Sequence, residues 1–195
     1  MDKNVMYVLI ILLFSSNVAM NAQNFMVKEG TASFKAKMPL NSYIGKTDDL
    51  QGAIDFKDGT FTFSVPVKSL KTGNEKRDGH MYELVKAEKN PNVLFEGKFM
   101  DDFNFEEKAT QTLNAKGDFT LAGVTREITI PIALKRVSED TIQLKASWSL
   151  LITDYNLERP SLAFIKVNDK HDLSVDALLE KNSNEVKLDF DEALK

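Results

Sequence analysis

The segment Gly117–Ile132, Gly-Asp-Phe-Thr-Leu-Ala-Gly-Val-Thr-Arg-Glu-Ile-Thr-Ile-Pro-Ile, constrains this chain more than any other. Phe119 and Leu121 alternate with polar residues before Ala122-Gly123, and Ile128, Ile130 and Ile132 alternate after it. A period of two puts the apolar side chains of a strand on one face, so the segment reads as a half-buried β-hairpin. Gly123 can take a positive φ without steric cost and places the turn. Pro131 has no N–H to donate, so it belongs at an edge, at a bulge, or where the neighbouring strand does not need that bond.

The same period recurs along the chain. Phe34, Ala36 and Met38 alternate with Lys35 and Lys37, and a strand resumes at Gly52–Phe56 after a polar stretch, Asn41–Asp49, that reads as a loop or irregular edge. Asp58-Gly59 is a two-residue hairpin signal. It leads into Phe61, Phe63, Val65 and Val67, which alternate with Thr60, Thr62 and Ser64. Further strands are expected at Val93–Phe99, Leu113–Leu121, Glu127–Leu134, Thr141–Ile152 and Asp172–Leu179. Thr153–Val167, with Pro160 in its middle, has no clear period.

One segment breaks the pattern. Asp78 can cap a helix, and Met81, Leu84 and Val85 form an apolar stripe on about two turns before Asn90-Pro91 ends it. The class is therefore all-β with one short helix. Antiparallel strands with one apolar face each either stack as a sandwich or close on themselves, and a barrel of about eight strands is either filled by side chains or holds one small ligand. Periodicity leaves both choices open.

Composition narrows the function. The chain has no cysteine, which excludes disulfides, thiolate nucleophiles and Cys-ligated metals. A net charge of −4 with dispersed basic residues argues against a nucleic-acid surface. The two histidines, His80 and His171, are far apart and lack metal-ligand spacing, and no Gly-x-Ser-x-Gly elbow is present. No catalytic residue, metal or cofactor is expected. Residues 1–22 have the layout of a secretory leader: Lys3, an apolar run at Val5–Phe14 about half the ~20 residues that span a bilayer, then small and polar residues before Gln23. The mature protein is expected outside the cytoplasm, periplasmic or secreted, without a membrane segment. One domain over 23–180 and a charged tail over 181–195 complete the chain, since no linker or repeat marks a second domain.

Four pieces occur in order: Thr72-Gly73-Asn74 with Arg77-Asp78 and His80-Met81; Asn90-Pro91 leading to Phe95-Glu96-Gly97; Gly117-Asp118-Phe119-Thr120; and Ala122-Gly123-Val124-Thr125. In this the chain resembles the YceI-like family of polyisoprenoid-binding, lipocalin-like periplasmic proteins, from about Phe25 to about Glu180. The resemblance implies an antiparallel lipocalin-like β-barrel whose interior takes a long isoprenoid or other lipid-like molecule. The inward residues that would line it are Phe34, Phe61, Phe63, Val65, Phe95 and Phe99, with Phe119, Leu121, Ile130 and Trp148. Ala36, Gly97, Ala115, Ala146 and Ala177 are small inward positions that would leave a channel. Lys76 and Arg77 are candidates for contact with a polar head group, beside the plainer role of the Arg77-Asp78 pair in capping and a structural ion pair. A filled β-module that acts through a protein partner in the cell envelope is the alternative reading, and the oligomeric state, a dimer included, stays open.

Overall fold

The structure, a computed structural model, describes residues 24–162 and 165–182. The expected leader, and the expected tail beyond residue 182, lie outside the described residues.

The strands are β1 (Asn24–Met38), β2 (Asn41–Thr47), β3 (Gln51–Asp55), β4 (Thr60–Pro66), β5 (Asn92–Phe99) and β6 (Gln111–Leu121). They continue with β7 (Val124–Arg136), β8 (Thr141–Leu151), a small hairpin of β9 (Ser161–Leu162) and β10 (Ile165–Lys166), and β11 (Lys170–Lys181). One helix, α1 (Glu75–Leu84), connects β4 to β5. Eight strands, β1, β3 to β8 and β11, close an antiparallel barrel, because β1 pairs with β11 on one side and with β3 on the other. β2 runs in line with β3 along the same edge of β1, and it occupies most of Asn41–Asp49, the stretch expected from sequence to be a loop or irregular edge.

The hairpin of Gly117–Ile132 forms as expected. Ala122 (φ 53) and Gly123 (φ 78) both sit in the left-handed region, the geometry of a type I′ turn that matches strand twist. A Cβ at Gly123 would also lie 2.7 Å from Asn90 Oδ1, so this turn seats the chain that leaves α1.

The helix differs from expectation in its start. Its N-cap is Asn74, whose side chain accepts from the Arg77 N–H at 3.0 Å, and Asp78 lies inside the first turns, buried. Asp78 instead accepts from the Thr72 N–H (2.9 Å) and hydroxyl (2.5 Å), while Arg77 donates to the Thr72 hydroxyl (2.9 Å) and carbonyl (3.0 Å). The expected Arg77–Asp78 ion pair is thus replaced by a clasp of both residues on Thr72. An Asn two positions after Thr72 out-competes Asp78 as cap because Gly73 (φ 74) turns the chain there.

The ladder is not continuous around the whole barrel. β7 pairs with β8 only from Ile132↔Ala146 to Arg136↔Ile142, and Pro131, which has no N–H to give, stands where that ladder stops. β4 pairs with β3 from Asp55↔Thr60 to Gln51↔Ser64, and no ladder joins β2 to β4. Above these points the wall is two leaves, β8-β11-β1-β2 and β4-β5-β6-β7, held apart at two seams. α1 and the segment after β4 fill one seam, with Lys46 and Lys71 exchanging backbone bonds of 2.9 Å and Thr47 donating to Ser69 at 2.7 Å. A 3-10 turn, Ile152–Tyr155, fills the other, with Arg126 donating to the Asp154 carbonyl at 2.9 Å.

Candidate functional site

The seams divide the interior into two regions. In the lower half, which holds the β3–β4 and β7–β8 turns, Ile54, Leu134, Ile142 and Leu179 are fully buried. Its end is sealed by rings. Phe25 packs on Phe56 at 5.5 Å, Phe56 on Phe103 at 5.0 Å, and Phe103 on Phe105 at 4.9 Å. Phe103 and Phe105 come from the loop between β5 and β6, which Arg136 pins by donating to the Phe105 carbonyl at 2.7 Å.

The upper half is hollow. A cavity of about 510 Å³ lies between the leaves, within the range of small-molecule sites. One leaf contributes Phe34, Trp148, Leu150, Leu173 and Val175, the other Val65, Val93, Phe119 and Leu121. Met81, Leu84 and Val85, the expected apolar stripe of α1, close it from the first seam. Ile152, Leu157 and Val167 close it from the segment between β8 and β11. Phe34 lies flat because its neighbour on β2 is Gly45, where a Cβ would stand 2.1 Å from the ring.

Phe119 and Trp148, 5.9 Å apart edge to face, form the floor. Both also touch a second void of about 60 Å³ below it, walled by Phe63, Phe95, Ile130 and Ala146. Of the residues singled out from sequence, Phe34, Val65, Phe119, Leu121 and Trp148 therefore line the large cavity, whereas Phe63, Phe95 and Ile130 reach only the lower void. Phe61 and Phe99 line neither, since they pack on each other at 5.3 Å in the filled half. Among the small positions, Ala146 borders the void. Gly97 serves close strand contact instead, since a Cβ there would meet the Lys116 carbonyl at 2.2 Å.

The rim is polar. Asn74, Lys76, Arg77 and His80 of α1 and its cap line it, as does His171 of β11. Arg77 lies over the Tyr43 ring at 4.5 Å, and burial pushes the Tyr43 hydroxyl pKa up. His171 is 7% exposed, sits edge-on to Phe34 at 6.1 Å, and places Nδ1 3.2 Å from the Asp169 carbonyl. Burial outweighs the carbonyl and the Asp169 and Asp172 charges, and holds its pKa below the ordinary value. Sequence reasoning did not assign His171, Leu173 or Leu157 to the site; the first two share the inward parity of β11, which was a usable signal, while Leu157 lies where no period exists. Among the described residues no group of three or more acidic or histidine side chains converges as a metal site, and no helix is long and apolar enough to cross a membrane.

The YceI-like domain profile matches residues 16–191. Among solved structures, a polyisoprenoid binding domain from Saccharophagus degradans, implicated in plant cell wall breakdown, aligns with a TM-score of 0.71 at 15% identity, over 82% of this chain and 99% of its own. BcnA of Burkholderia cenocepacia aligns at 0.63 and 14% identity, over 76% and 95%, and a YceI protein of Campylobacter jejuni at 0.55 and 18%, over 69% and 82%. At these identities the structural likeness speaks for the fold. No curated protein sequence matches the chain.

Proposed function

The chain belongs to the YceI-like domain family, and from that premise we propose that it is an exported protein that carries or sequesters an apolar molecule of isoprenoid or lipid type. The observation that carries this reading is the 510 Å³ cavity between the two leaves, walled by aliphatic and aromatic side chains. An apolar molecule gains about 0.8 kcal/mol for each methylene moved from water into such walls and needs no polar partner there. The structural relative from Saccharophagus degradans is described as a polyisoprenoid binding domain, and an isoprenoid tail has the chemistry this lining favours. Lys76 and Arg77 stand at the rim, where the head of such a molecule would emerge. Binding rather than catalysis is the role this reading assigns: the lining hydroxyls of Ser33 and Ser174 bond to each other at 2.8 Å, and His171 bonds to the Asp169 carbonyl and not to either of them.

Export rests on the leader pattern of residues 1–22. The filled-module alternative loses its premise in the upper half, where the interior is not packed. The test is native mass spectrometry of protein purified from the envelope of its own host, followed by organic extraction. A co-purifying isoprenoid or lipid on a chain that begins near Gln23 is the expected result. A chain that emerges empty and takes up no polyprenyl or fatty chain would overturn the reading.

A further inference from the structure

The charges around the cavity are one-sided. In a chain of net charge −4, the lining among the described residues includes Lys76, Arg77, His80 and His171 and not one carboxylate. Of the nearby acids, Asp78 is bonded to Thr72, Asp172 to Lys37 and Ser149, and Asp169 to Thr153, while Glu75, in the first turn of α1, forms no ion pair with Lys76 or Arg77. Among the described residues Lys76 has no hydrogen-bond or ion-pair partner, and Arg77, though bonded to Thr72, has no carboxylate within ion-pairing distance. A head group that satisfies this rim is an anion.

The depth is also limited. Along β11 the cavity is lined from His171 through Leu173 to Val175, roughly 13 Å at the usual strand rise, and the next inward residues, Ala177 and Leu179, are buried in the filled half. Phe119 and Trp148 close the floor from the opposite leaf and from β8, and the space beneath them is only about 60 Å³.

We propose that the ligand of this site is a single-tailed anionic amphiphile, its carboxylate or phosphate head held at Lys76 and Arg77 and its tail ending on the Phe119–Trp148 floor. This rests on the carrier reading above and names the ligand class within it. It departs from a continuous channel: the lower half is not part of the site, and the floor sets a maximum tail length.

The experiment is a binding series with saturated straight chains of graded length carrying a carboxylate, a monophosphate, a hydroxyl or a trimethylammonium head, read by calorimetry on the full mature chain. Affinity of the carboxylates should rise about fourfold per methylene and then stop rising at a fixed length. Chains with either anionic head should bind at least about tenfold tighter than the alcohol of equal tail, a gap that shrinks with salt and in Lys76→Gln. Whichever anion binds more tightly, carboxylate or phosphate, identifies the source of the head. Trp148→Ala should move the cut-off to longer tails, and Val175→Phe, which fills the space above the floor, to shorter ones, so that loss of fold in one variant leaves the other as the test. Affinity that keeps climbing into polyprenyl lengths overturns the floor. Equal binding of alcohol and carboxylate, or preference for the ammonium, overturns the anionic head. Failure of every head and length overturns the carrier reading itself.

Discussion

The lower and upper halves of this barrel are built from the same strands and nearly the same residue types, yet one half is solid and the other hollow. β11 shows the contrast along a single face. Leu179 and Ala177 are 0% and 3% exposed, whereas Val175 and Leu173, inward by the same alternation, are only half-buried because they face a cavity. What differs is the hydrogen-bonding of the wall. Below Pro131 the ladder closes and brings opposite faces into contact; above it the seams between β7 and β8 and between β2 and β4 hold the leaves apart. Among the described residues the buried polar side chains, Thr47, Asp78 and His171, all belong to the upper half: Thr47 ties β2 to Ser69 in the segment that fills the first seam, Asp78 holds that segment together at Thr72, and His171 faces the cavity. Stability and ligand capacity are thus assigned to different ends of one sheet.

The sharpest way to break that comparison is to make one substitution at both ends of one strand. Leu179→Ala should cost about 2–5 kcal/mol, because a packed half cannot collapse around the vacancy. Leu173→Ala should cost about 1 kcal/mol, because it only widens a space that is already there. Urea midpoints at unchanged m-value measure both, and equal losses would mean that the halves are equally packed.

A smaller effect concerns α1, the wedge that fills the first seam. Asn74→Ala removes the cap of α1 and should cost about 0.5–2 kcal/mol, seen as faster amide exchange across Glu75–Leu84 while the amides of β11 near Leu179 stay protected. Uniform loss of protection would show that the upper half does not open on its own.

Acid should act on the upper half first. Burial holds the pKa of His171 below its ordinary 6.5, so the folded state binds a proton less readily than the unfolded chain. Stability is then fully present above pH 6.5 and declines as pH falls through that value toward the depressed folded one. The lowered carboxylates Asp48, Asp169 and Asp172 lose their contribution only below their ordinary 3.8, a separate window. His171→Gln should flatten the stability profile between pH 5 and 7, roughly the range in which histidine titrates. A profile that is unchanged in this variant would place the titration elsewhere.

The smallest expected change is a gain. Gly79 lies inside α1, and a Cβ there would meet nothing within 4 Å. Gly79→Ala should therefore stabilise the wedge by about 0.5–1 kcal/mol, read as slower exchange of the α1 amides. No gain would indicate that α1 is limited by its contacts with the leaves and not by its own helicity.

Much of this fold was legible in the sequence. Alternation placed most of the wall, Ala122-Gly123 placed the turn, and Met81, Leu84 and Val85 placed the face of α1. The division of the interior was not legible, because Phe61, Phe99 and Phe119 follow the same inward alternation and only the height of each along the barrel separates plug from cavity. Pro131 carried the one local signal of the seam, a missing donor, but nothing in the sequence says which neighbour lacks the bond. Asn41–Thr47 was hidden as a strand because it is an edge with polar residues on much of its length, and the segment around Pro160 because it supports the mouth through Arg159 Nε donating to the Val167 carbonyl, a contact with no periodicity.

The claim that the tail of a bound molecule occupies the upper half alone is tested most directly by methyl NMR, through short-range Overhauser contacts from the terminal methyl of a bound fatty carboxylate. The expected result is contacts of that methyl with Val65, Val93 and Val175, beside the floor, and none with Leu134, Ile142 or Leu179. Contacts with the lower methyls would contradict it.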